Sequence, residues 1–191
     1  MSMSDSVALF IALVTAHLIG DFPAQTRWMA EGKAALRFRP ALVHGLIHAV
    51  LAVALVGPFR DPVVGLIIFG GVLIGHLLVD ATIKPLLLPE RPGDSWPRRM
   101  FAFGLDQVAH VAVLIGLVVL LREPPGGWGV WWWEHVDRTL FIAAFVKLSG
   151  LILAVWVGGF VIGIRVAPML AELSSASPAG AMPRGFPGAG R

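Results

Sequence analysis

The chain lacks cysteine and is poor in charged residues, and each shortage excludes a class of protein. None of its 191 residues is a cysteine, so disulfides and thiolate zinc sites are excluded, and any metal must use histidine, carboxylate or backbone oxygen ligands. Charged residues make up 14% of the chain and hydrophobic residues 57%, with a mean hydropathy of +0.79. This composition is too apolar for an ordinary soluble domain and predicts an integral membrane protein.

Five apolar segments have lengths that predict membrane-spanning helices. They cover residues 7–22, 40–57, 63–83, 101–121 and 140–166. We therefore expect an all-α bundle of five transmembrane helices in one domain, residues 1–171. A disordered tail, residues 172–191, is expected to follow because it is rich in Ala, Gly, Pro and Ser. No basic run precedes the first segment, which we interpret as a retained helix and not a cleaved signal peptide.

The distribution of basic residues predicts how the bundle is oriented. Eleven follow the first, third and fifth segments, namely Arg27, Lys33, Arg37, Arg39, Lys84, Arg91, Arg98, Arg99, Arg165, Arg184 and Arg191. Three lie on the opposite side, namely Arg60, Arg122 and Arg138. We therefore expect an outside N-terminus and a cytoplasmic C-terminus, with Trp128, Trp131, Trp132 and Trp133 in an outer aromatic belt. Basic residues in the cytoplasmic loops then explain the pI of about 10.2, so no nucleic-acid partner is expected.

Four of the apolar segments each carry two metal-ligand residues four positions apart. The pairs are His17/Asp21, His44/His48, His76/Asp80 and Asp106/His110. An i, i+4 spacing puts both side chains on one face of a helix, and every pair lies near the predicted cytoplasmic end of its helix. Ionisable groups inside a membrane are costly and usually functional. The sequence therefore predicts one metal centre shared by four helices.

The donor types indicate which metal and which chemistry to expect. Imidazole and carboxylate ligands suit divalent ions, so we expect one or two such ions, with zinc favoured. The expected ligands are His17, Asp21, His44, His48, His76, Asp80 and His110. We assign Asp106 as the general base, with Asp21 or Asp80 as alternatives. Nearby polar side chains are candidates to orient a ligand or bind an anionic substrate, namely Gln25, Gln107, Arg27, Lys84, Arg98 and Arg99.

The ordered set of motifs resembles that of a known family. His17-Leu-Ile-Gly-Asp21, His44-Gly-Leu-Ile-His48, His76-Leu-Leu-Val-Asp80 and Asp106-Gln107-Val-Ala-His110 resemble the bacterial membrane family called domain of unknown function 3307, over about residues 7–121. The first motif is also similar to motifs of inner-membrane metal-dependent hydrolases. More distantly, it is similar to the helical zinc phospholipase C and single-strand nuclease family, whose histidines and aspartates bind catalytic zinc. These resemblances imply a phosphoester hydrolase.

Three functions are consistent with the sequence. The first is a metal-dependent hydrolase in the bacterial cytoplasmic membrane, acting at its inner face on a lipid phosphate or another amphiphilic ester. The second is a metal or proton transporter, although the outer halves of the first four segments have almost no ionisable groups. The third is a metal-stabilised membrane adaptor without turnover. Two alternatives to the metal centre itself are polar contacts between helices and bis-histidine haem ligation, and haem would leave the three aspartates without a role.

Overall fold

The computed structural model describes residues 3–57, 61–87, 94–121 and 135–176, and every regular element within them is helical. The helices are α1 (Met3–Asp21), α2 (Arg27–Ala34), α3 (Phe38–Val56), α4 (Pro62–Leu78), α5 (Lys84–Leu87), α6 (Trp96–Leu120), α7 (Arg138–Ile152) and α8 (Gly158–Ala176). Two π-helical segments, Val79–Ile83 and Leu153–Val157, join α4 to α5 and α7 to α8. The all-α class predicted from the sequence is confirmed for this part of the chain.

Four helical stretches in the described ranges are long and apolar enough to cross a membrane. They are Phe38–Val56, Pro62–Leu86, Trp96–Leu120 and Arg138–Leu170. A multi-pass membrane protein is therefore supported. The expected count of five spans is wrong for these ranges, because α1 is not among the four. The orientation of the bundle stays a prediction.

Helix α1, which covers most of the expected first span, packs inside the bundle. Five of its apolar side chains are at most 1% exposed, namely Ala8, Leu9, Ala12, Leu13 and Ala16. The helix packs against α3, α6 and α7. It also carries Asp5, His17 and Asp21 within its 19 residues. Much of the apolar surface of α1 therefore contacts other helices, and hydropathy alone does not distinguish this arrangement from contact with lipid.

Several residues used in the sequence analysis lie outside the described residues. They are Arg60, Arg91, Arg122, Arg184 and Arg191, the tryptophans Trp128, Trp131, Trp132 and Trp133, and residues 177–191 of the tail. The aromatic belt therefore stays a prediction, and so does disorder of residues 177–191. Residues 172–176, the expected start of the tail, belong instead to α8.

Local sequence signals fix where the helices begin and end. The Asp61 carboxylate accepts hydrogen bonds from the backbone N–H groups of Val63 and Val64, and Pro62 takes the first helical position of α4. Thr26 caps α2 by accepting from the Met29 N–H. Helix α3 ends at Val56, and the next residue, Gly57, has a φ of 67°. This left-handed conformation suits glycine and ends the helix.

The apolar core and the ligand pairs occupy opposite halves of the bundle. Buried apolar side chains of one half come from five helices, α1, α3, α4, α6 and α7, for example Leu13, Ala52, Ile68 and Leu114. Two glycines allow α4 to approach α6 closely: a Cβ at Gly71 would overlap Leu117, and a Cβ at Gly75 would overlap Val113. Small residues at helix contacts are typical of membrane bundles. Because all four ligand pairs lie in the other half, they meet at one end of the bundle.

Polar contacts hold α7 beside α1. Arg138 pairs with Asp5 at the start of the two helices, and Thr15 Oγ1 lies 2.9 Å from Ser149 Oγ further along them. The two helices therefore run parallel. Helix α7 packs against α1 and carries none of the predicted ligands.

Candidate metal centre

The structure brings all four predicted ligand pairs together. The eight side chains come from α1, α3, α6 and the continuous helix formed by α4 and the π segment, and each is at most 9% exposed. The five histidine rings form a contiguous group. The ring centroids of His48 and His76 lie 3.7 Å apart, those of His76 and His110 lie 4.6 Å apart, and those of His17 and His110 lie 5.0 Å apart.

Asp21 is the carboxylate that connects three of the histidines. Its Oδ1 atom lies 3.1 Å from His44 Nε2 and 3.2 Å from His48 Nε2. Its Oδ2 atom lies 3.3 Å from His17 Nε2 and accepts a hydrogen bond of 3.2 Å from Gln107 Nε2. The two oxygens of one side chain therefore link α1 to α3 and α6.

Hydrogen bonds fix the protonation pattern of two facing histidines. His17 Nε2 lies between two acceptors, Asp21 Oδ2 and Gln107 Oε1, each at 3.3 Å, so this nitrogen carries the proton. His76 Nδ1 donates to the Val72 carbonyl at 3.2 Å. In neutral rings the lone pairs are then on His17 Nδ1 and His76 Nε2, which face each other at 3.3 Å. Two facing lone pairs repel unless a cation lies between them.

Four of the residues form a group that fits a divalent cation. One ligand atom each from His17, Asp21, His48 and His76 lies within 4.8 Å of the others, and all four residues are buried. Two ligands about 2.0–2.2 Å from one ion at a tetrahedral angle lie about 3.3–3.6 Å apart. His48 Nε2 lies 3.2 Å from Asp21 Oδ1, whereas His48 Nδ1 is buried without a hydrogen-bond partner, which is costly for a polar atom. A cation bound at this nitrogen would satisfy it.

A π-helical segment positions Asp80. Pro85 has no N–H, so the α-helical hydrogen bond to the Ala81 carbonyl is missing, and the helix widens over Val79–Ile83. Asp80 Oδ1 lies 3.8 Å from His110 Nε2. One turn later, Lys84 Nζ lies 3.5 Å from Asp106 Oδ2, so both side chains face α6. Single π turns of this kind occur frequently at functional sites.

Gly20 allows α3 to bring His48 into the centre. It lies on α1 between His17 and Asp21, and a Cβ built at this position would overlap the His48 ring. The close approach of the two helices therefore depends on the absence of a side chain at residue 20.

Lys33 also belongs to the centre, although its sequence context indicates only the orientation of the bundle. Its Nζ atom lies 3.0 Å from Asp80 Oδ2 and 2.8 Å from His44 Nε2. Lys33 belongs to α2, which packs on α3. Met29 and Gly32 of α2 are buried. Lys33 lies on the same face of the helix because it comes four residues after Met29. Which face of α2 is buried follows only from its packing on α3, so no sequence signal alone identifies Lys33.

The other predicted polar residues are placed differently. Gln107 lies in the centre and contacts both His17 and Asp21, and Gln25 is half-buried in the turn after α1. Arg27 is 84% exposed and pairs with Glu31 at 2.6 Å. Arg98 pairs with Asp94 at 3.0 Å, and Arg99 is exposed. These three arginines are therefore not part of the buried cluster.

Comparison with known proteins identifies a family. A family model described as "Protein of unknown function (DUF3307)" matches residues 9–126, which is more than half of the chain. The chain belongs to this family. The matched range contains all four ligand pairs, Lys33 and Gln107, and it ends before α7. No curated protein and no solved structure matches the chain.

Proposed function

We propose that this member of the DUF3307 family is a membrane-embedded metal-dependent hydrolase, with zinc as the favoured ion. The observation that carries the proposal is the buried group of His17, Asp21, His48 and His76, whose ligand atoms lie within 4.8 Å of one another. Three imidazoles and one carboxylate form a donor set typical of zinc and other divalent ions. When bound, such an ion polarises the scissile group and activates water.

Asp106 is the residue best placed to act as general base. Its Oδ1 atom is buried without a hydrogen-bond partner, while its Oδ2 atom lies 3.5 Å from Lys84 Nζ. A carboxylate oxygen that is not already hydrogen-bonded can accept the proton of an attacking water. The ion pair with Lys84 orients the carboxylate and leaves Oδ1 to face an attacking water.

Gln107 acts as a positioning residue. It donates to Asp21 Oδ2 and accepts from His17 Nε2, which leaves His17 Nδ1 free to bind the ion. Side chains that orient metal ligands in this way often matter nearly as much as the ligands themselves.

The location of the centre supports an amphiphilic substrate. The ligand end of an apolar bundle lies near one membrane surface, and Lys33 and Lys84 add positive charge there. A phosphoester or a lipid-linked phosphate combines an apolar part with an anionic group that such a site suits. The excess of basic residues on one side supports the cytoplasmic face of a bacterial inner membrane.

The experiment combines metal analysis with a hydrolysis assay on one preparation. The purified protein in lipid nanodiscs is loaded with zinc, dialysed, and assayed for phosphate release from lipid phosphates. His48→Ala is compared with His135→Ala, which removes an exposed histidine that is not one of the predicted ligands. We expect only His48→Ala to lose both metal and turnover.

Other outcomes separate the rival functions. Zinc flux into liposomes without phosphate release indicates a transporter. Stable metal binding with neither flux nor turnover indicates a metal-stabilised adaptor. A protein that binds no metal contradicts the proposal.

A further inference from the structure

The Lys33 ammonium occupies a position where a second cation would bind. Its Nζ atom lies 2.8 Å from His44 Nε2 and 3.0 Å from Asp80 Oδ2. The same two ligand atoms lie 3.6 Å from each other. Two ligands of one ion have about this separation when each is about 2.0–2.2 Å from it. The ammonium is therefore bound by an imidazole and a carboxylate in the manner of a metal ion.

This position adjoins the four-ligand group through a shared carboxylate. Asp21 Oδ1 lies 3.1 Å from His44 Nε2, while Asp21 Oδ2 faces His17 at 3.3 Å. A carboxylate whose two oxygens face two positions can bridge two cations. His44 is outside the four-ligand group, and its Nε2 lone pair accepts the proton of Lys33.

We propose that Lys33 is a built-in second cation, which limits the centre to one divalent ion and blocks a second divalent-metal site formed by His44, Asp80 and Asp21. The inference rests on the metal centre of the proposed function. It identifies His44 as a partner of Lys33 in the native protein and as a metal ligand only when Lys33 is absent.

The charge of the centre agrees with a single ion. Asp21, Asp80 and Asp106 contribute three negative charges, and Lys33 and Lys84 contribute two positive charges within ion-pair distance. One divalent ion then gives a net charge of +1, whereas two ions beside both lysines give +3. Excess charge in apolar surroundings is strongly unfavourable. A second ion therefore requires the departure of a lysine.

The backbone holds Lys33 in place. Thr26 caps α2, and Gly32 lies so close to Pro40 that a Cβ at this position would overlap the proline ring. Lys33 is only 15% exposed. The short helix α2 packs against α3 and therefore places the Lys33 ammonium next to Asp80. Helix α3 also carries His44.

The experiment counts zinc ions per chain by mass spectrometry after loading and dialysis of the full-length protein in nanodiscs. The expected counts are one for the wild type and two for Lys33→Met, which keeps an unbranched side chain but removes the ammonium group and its charge. Lys84→Met is the matched control, because it removes the other lysine without opening the His44 position. Its expected count is one.

A second variant tests the role of His44 directly. His44→Ala should retain one zinc ion, because its partner in the native protein is Lys33. Adding His44→Ala to Lys33→Met should return the count from two to one. If Lys33→Met cannot be recovered folded, the single His44→Ala variant decides: loss of its only ion would overturn the inference.

The outcomes also separate this inference from the proposed function. Two ions in the wild type, or one ion in folded Lys33→Met, would overturn the inference and leave a metal-dependent hydrolase intact. One ion in the wild type and two in Lys33→Met, without phosphate release, would support the inference and contradict hydrolysis. No ion in any variant contradicts both.

Discussion

His17 Nδ1 and His76 Nε2 face each other at 3.3 Å, although the two residues are 59 positions apart in the chain. The second nitrogen of each ring already faces a hydrogen-bond acceptor: Gln107 and Asp21 for His17, and the Val72 carbonyl for His76. When both rings are neutral, the two facing nitrogens therefore have lone pairs and no proton to share. A cation between them removes the repulsion and uses both as ligands.

Removal of His76 is expected to weaken metal binding by more than about 100-fold. Loss of a residue that merely orients a ligand typically costs about 10–100-fold, and His76 is itself a proposed ligand. The measurement is the zinc affinity of His76→Ala by competition with a chelator of known affinity. His135→Ala is the control and should bind zinc as the wild type does. Equal affinities of the two variants would exclude His76 as a ligand.

Substitution of Gln107 by leucine is expected to weaken zinc binding by about 10–100-fold while the helices remain folded. Leucine is similar in size but can neither accept from His17 nor donate to Asp21. Circular dichroism checks the fold, and the chelator competition measures the affinity. The control is Gln25→Leu, at the half-buried glutamine in the turn after α1. If both substitutions have the same effect, Gln107 has no positioning role.

The i, i+4 pairs predicted the centre because helix geometry alone determines which residues share a face. The sequence did not predict Lys33, because its place depends on how α2 packs on α3 through Gly32 and Pro40. Arg27, six residues earlier, has the same charge and lies on the surface. Only the tertiary structure distinguishes these two basic residues. The sequence likewise did not show how closely α1 packs against other helices.

Substitution of Gly20 by alanine is expected to destabilise the protein by about 1–3 kcal/mol, the usual cost of forcing extra volume into a packed site. The new Cβ would displace the His48 ring and separate α1 from α3. Thermal unfolding in detergent measures the effect, and added zinc should stabilise this variant less than the wild type. Gly104→Ala is the control, because nothing lies within 4 Å of a Cβ at that position. Equal unfolding temperatures for the two variants would contradict the close approach.

Substitution of Asp106 by asparagine is expected to separate catalysis from metal binding. Asparagine keeps the shape of the side chain but cannot accept the proton of water, so turnover should fall by about 10²–10⁴-fold. The zinc content should stay at the wild-type level, because Asp106 lies outside the group of His17, Asp21, His48 and His76. Zinc and phosphate release must be measured on the same purified sample. Loss of zinc in proportion to activity would make Asp106 a ligand and place the base elsewhere. Full activity with full zinc would leave the unpaired Oδ1 atom of Asp106 without a catalytic role.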